Sequence, residues 1–117
     1  MDINLQSTNL DYVEEISGGD KDFKKELIQI FMKQIPEFLE NMNKFLTEMN
    51  YPELAKEAHT AKSSVLIFRM EETGTMLKEI QLKAEKNQVD SIPDMIEKVK
   101  NNLENALKEL TDVLEEL

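Results

Sequence analysis

Apolar residues recur at steps of three and four along most of this chain, the spacing that gathers them on one face of an α-helix. No run alternates apolar and polar residues in the manner of a half-buried strand. Three glycines and three prolines are the main punctuation, and they fall between or at the starts of the apolar stripes more often than within them. The pattern predicts an all-α protein. A short first helix is expected over Leu10 to Ser17, opened by a capping box of Thr8 and Asp11 and stopped by Gly18-Gly19. Asp20 then stands as the cap of a long second helix, with a stripe of Phe23, Leu27, Phe31, Ile35, Phe38, Met42, Phe45 and Met49. That stripe keeps its phase through Pro36, so the segment reads as one helix kinked at the proline, with two helices meeting there as the alternative.

The third helix is predicted from a capping box of Asn50 and Glu53, with Pro52 in its first turn, and its stripe is Leu54, Ala58, Ala61, Val65 and Phe68. A fourth runs from Glu71 to Asn87 with Met76, Leu77, Ile80 and Ala84 inward, weakened near its start by Gly74 by roughly 1 kcal/mol relative to alanine. Ser91 and Asp94 form the capping box of a fifth, with Pro93 in its first turn and a stripe of Ile96, Val99, Leu103, Ala106, Leu110, Val113 and Leu117. Short connections make neighbouring helices antiparallel. The expected architecture is an antiparallel four-helix bundle with an additional short N-terminal helix packed across it.

Composition narrows the function. At 117 residues the chain reads as one domain spanning 1–117, with 1–8 as a flexible N-terminal segment. A net charge of −10 disfavours nucleic acid and anionic membrane as partners. No apolar run approaches the ~20 residues of a membrane span, and MDINLQSTNL lacks the form of a signal peptide, so the chain is read as cytoplasmic. The absence of cysteine agrees with a reducing compartment. It also leaves no ligand set for zinc, because there is a single histidine, and no metal site is expected.

That histidine, His59, carries the candidate chemistry. It follows Ala58 and so lies about 100° around the helix from the buried stripe, beside the core and outside it. Lys62, Ser63 and Leu66 come three, four and seven residues later and share its face. Ala55, Ser63 and Ser64 are small, so little bulk hides the ring. No nucleophile elbow and no glycine-rich nucleotide signature is present. A solitary exposed imidazole can still act as a nucleophile and form a covalent intermediate.

The run AHTAKSS at 58–64, together with the helix before it, resembles the histidine-containing phosphotransfer (HPt) domain of two-component phosphorelays, over a region from about Leu10 to the C-terminus. The resemblance puts His59 on the phospho-acceptor and Lys62 on a lysine that helps hold the phosphoryl oxygens. It implies a phosphocarrier without kinase activity of its own, taking a phosphoryl group from a receiver-domain aspartyl phosphate and passing it to another receiver. It also implies no cofactor of its own, with Mg²⁺ in the partner receiver, and a monomeric chain whose partners are receiver domains of response regulators or hybrid kinases. The family usually carries glycine where this chain has Ser63 and Arg69. The arginine removes a residue suited to a left-handed helix exit. On these two departures rests the alternative, a helical-bundle interaction module that has lost phosphotransfer.

Partner docking is expected around His59, on Ser63, Leu66 and Ala55 and on the second helix opposite. That helix carries more apolar residues there than one stripe needs, among them Phe38 and Met42.

Overall fold

The computed structural model describes residues 5–117, which form five helices: α1 (Asp11–Ser17), α2 (Lys21–Thr47), α3 (Tyr51–Ile67), α4 (Glu71–Glu85) and α5 (Ile92–Glu116). The last four make an elongated bundle, 45 × 21 × 20 Å for the molecule, in which α2 and α4 each pack against both α3 and α5. The short α1 lies against α2.

The apolar stripes fill the core largely as their spacing requires. Phe31, Ile35, Phe38 and Met42 of α2, all five α3 positions and Ile96 through Val113 of α5 are buried. Phe31 and Phe68 stack with ring centroids 4.3 Å apart, pinning the end of α3 to the middle of α2. Two stripe members depart from expectation. Phe23 is 41 % exposed in the first turn of α2, and Met49 is 70 % exposed because it lies past the end of that helix, at φ +57°. α2 passes through Pro36 without interruption, with the proline on its exposed side.

Of the N-terminal caps read from sequence, only Asp20 closes as expected, its carboxylate accepting from the backbone N–H groups of Asp22 and Phe23 at 2.9 and 3.1 Å. Asn50 and Ser91 make no side-chain cap. Thr8 does not cap α1 either; Asn9 Oδ1 accepts from Asp11 N, while the Thr8 hydroxyl donates to Glu109. Glu109 Oε2 also accepts from the backbone N–H groups of Gln6 and Ser7, and Oε1 from that of Thr8, at 2.6 to 3.1 Å. The expected flexible segment 1–8 is therefore tied to α5 over residues 6–8, and its first four residues lie outside those described.

Four of the five helices exit through residues in the left-handed region: Gly18 and Gly19, then Met49, Arg69 and Asn87. Arg69, read from sequence as unsuited to a left-handed exit, takes φ +58° all the same, and its guanidinium sits 5.5 Å from the centre of the Tyr12 ring. The substitution leaves the left-handed exit from α3 in place.

Candidate functional site

α3 buries Leu54, Ala55, Ala58, Ala61 and Val65, and the three alanines keep that face thin. α4 answers with Gly74 and Ala84, so the two backbones approach closely and share the most extensive helix contact of the molecule. At Gly74 the approach is tight enough that an added Cβ would come within 2.8 Å of Leu66 Cδ2. The sequence read Gly74 only as a weak point in a helix; its lack of a side chain makes room for Leu66.

His59 is exposed on the rim of this α3–α4 seam. Its Nδ1 lies 3.3 Å from Gln81 Oε1 on α4, and Gln81 Nε2 donates in turn to Glu85 Oε2 at 3.3 Å. The ring stands over a hollow of about 750 Å³ lined by Pro52, Ala55, Lys56, Thr60, Gln81, Ala84, Glu85 and Asn87. Lys62, one turn after His59, is half-buried and has no carboxylate partner among the described residues. Ser63 is exposed, with its hydroxyl donating to the carbonyl of His59 at 3.3 Å, and Leu66 is 41 % exposed. His59, Lys62, Ser63 and Leu66 thus share one accessible face.

The expected docking residues of the second helix do not join them. Phe38 is 5 % exposed and Met42 fully buried, because α2 uses those positions to face the bundle interior. Ala55 is also buried, at 4 %, and reaches the surface only as part of the floor of the hollow. The error was in the neighbour. Reasoning from the α2–α3 hairpin put α2 beside the imidazole, whereas α4 stands there. Gln81 and Glu85 were accordingly missed. No sequence motif marks them; only the pairing of α3 with α4 does. The large apolar side chains that α2 does expose, Phe23 and Ile30, belong to its N-terminal half.

The site has one nucleophilic ring, a lysine on its face and an amide partner, and the chemistry open to it is covalent catalysis at a ring nitrogen. No group of three or more metal-ligating side chains occurs among the described residues. No helix among them is long and apolar enough to cross a membrane.

Comparison with known proteins identifies the fold and the family. No curated protein sequence matches the chain. The crystal structure of histidine-containing phosphotransfer protein B (HptB) from Pseudomonas aeruginosa PAO1 superposes with a TM-score of 0.89 over 97 % of this chain and 99 % of that one, at 14 % identity. At that identity the likeness speaks for the fold. The sequence profile of the Hpt domain family matches residues 26–117, which include α3 with its histidine and most of α2. The chain belongs to the Hpt domain family.

Proposed function

We propose that this protein is a phosphocarrier of a His-Asp relay, accepting a phosphoryl group on His59 from the aspartyl phosphate of one receiver domain and delivering it to another. The observation that carries this reading is an exposed imidazole, anchored at Nδ1 by Gln81, on the expected helix of an Hpt-family bundle. The acceptor needs little else. The imidazole supplies the electron pair, the receiver's Mg²⁺ and lysine neutralise the charge that spreads over the equatorial oxygens, and Lys62 adds one cation from this side. Docking involves the face of Ser63 and Leu66, where the 41 % exposed leucine supplies apolar contact within a polar rim. The serine and arginine that replace family glycines leave the helix and its exit in place, which favours a working carrier over a bundle that has lost the activity.

Incubation with phosphorylated receivers should place an acid-labile, base-stable phosphate on the chain, and His59→Gln should remove it with helical circular dichroism unchanged. Lys62→Ala should slow transfer about tenfold, the worth of one charge-assisted contact. Phosphate retained in His59→Gln would end this reading.

A further inference from the structure

The group that holds the imidazole of His59 is itself held. Gln81 Oε1 lies 3.3 Å from His59 Nδ1, and Gln81 Nε2 donates to Glu85 Oε2 at the same distance. A side-chain amide has one accepting end and one donating end, so the partner that claims one end decides what the other partner meets. A carboxylate accepts only. Glu85, one turn along α4 from Gln81, takes the amide N–H and turns the carbonyl oxygen toward the ring. Lys56, the cation lining the same hollow, is paired with Glu53 at 3.2 Å, and Glu85 has no ion-pair partner among the described residues. Facing a carbonyl oxygen, the neutral ring carries its proton on Nδ1, because the hydrogen bond at one ring nitrogen sets which nitrogen is protonated.

We propose that Glu85 is a positioning residue for phosphotransfer, acting through Gln81 to hold His59 in the Nδ1–H tautomer with Nε2 as the nucleophile; this rests on the phosphocarrier reading. In the transfer, the Nε2 lone pair forms the P–N bond as the bond from phosphorus to the receiver's carboxylate oxygen breaks, and the departing aspartate keeps that electron pair. The ring takes up positive charge and retains its Nδ1 proton, which donates more strongly to Gln81 Oε1 as the charge builds. Polarisation through the amide by the Glu85 carboxylate supports that cationic ring. Return of the phosphoryl group to a receiver runs the same steps backward, with the ring leaving as the neutral Nδ1–H form.

The ring ¹⁵N spectrum of the unphosphorylated protein reads the tautomer directly, at a pH of about 8.5 where a reference imidazole is neutral. The expected wild-type spectrum has Nδ1 protonated and Nε2 bare. Glu85→Gln should keep that pattern, since its carbonyl oxygen still accepts from Gln81. Glu85→Lys should lose it, because an ammonium claims the amide oxygen and turns the NH₂ toward the ring. Transfer to His59 should fall about threefold to tenfold in Glu85→Lys and stay near wild type in Glu85→Gln, with circular dichroism unchanged in both. A wild-type ring protonated at Nε2, or an unaltered tautomer in Glu85→Lys, overturns the proposal. A ring held in the Nδ1–H form in a protein that accepts phosphate from no receiver would instead overturn the phosphocarrier reading, and leave Glu85 as the group that sets the tautomer.

Discussion

Ser63 shows how much of this site turns on volume at a single position. Its side chain is exposed one helical turn beyond His59 and, among the described residues, bonds only to the His59 carbonyl. Serine at this point keeps the surface low where a receiver would approach, and the core lies on another side of α3. Ser63→Trp should therefore abolish phosphotransfer while shifting stability by no more than about 0.5 kcal/mol. Ser63→Gly should leave transfer unchanged or slightly faster. Comparing transfer rates with thermal unfolding of the two variants checks this, and normal transfer by Ser63→Trp would put the docking face elsewhere.

The helices end by a common device with different residues. α2 exits through Met49 at φ +57°, a position where glycine meets no steric penalty and a side chain does. Met49 is also 70 % exposed, so its side chain returns little packing for that strain. Met49→Gly should stabilise the protein by about 0.5–1 kcal/mol, the left-handed penalty removed less the added chain entropy of glycine. Urea denaturation measures it. Arg69→Gly should gain less, because it forfeits the stacking of the guanidinium on Tyr12. A Met49→Gly protein less stable than the parent would show that the side chain does more than the exposed position suggests.

For the molecule as a whole, one carboxylate fastens the N-terminal segment to the last helix. Burial by itself pushes the Glu109 carboxyl up, but the backbone N–H groups of Thr8 and Ser7 and the Thr8 hydroxyl together outweigh it and hold the group below the usual carboxylate range. A depressed carboxyl stabilises the folded state fully above the unfolded-chain value of about 4.3, and that contribution is lost as pH falls through the lower folded value. Glu109→Ala should cost about 1–3 kcal/mol at neutral pH, speed hydrogen exchange at the amides of residues 6–8, and flatten the loss of stability on acidification below about pH 4. Stability curves of parent and variant that run parallel through that range would count against the clamp.

The periodicity of apolar residues by itself determined the four long helices, the bundle and most of the core, because a stripe at steps of three and four has one way to be buried. It also set His59 beside the core, since that follows from its phase relative to Ala58. What the phase of one helix does not contain is the identity of its neighbour on each side. A helix has a near neighbour in α2 through the hairpin and another in α4 through close packing, and only the folded bundle decided that α4 faces the imidazole. Phe38 and Met42 lie in the core, where the phase of their own stripe puts them, and Gln81 and Glu85 came to the site. Caps fared likewise. Asp20 found its local N–H partners, but Thr8 took a carboxylate about a hundred residues away, and a contact of that range is chosen by the tertiary fold, whatever the local sequence offers.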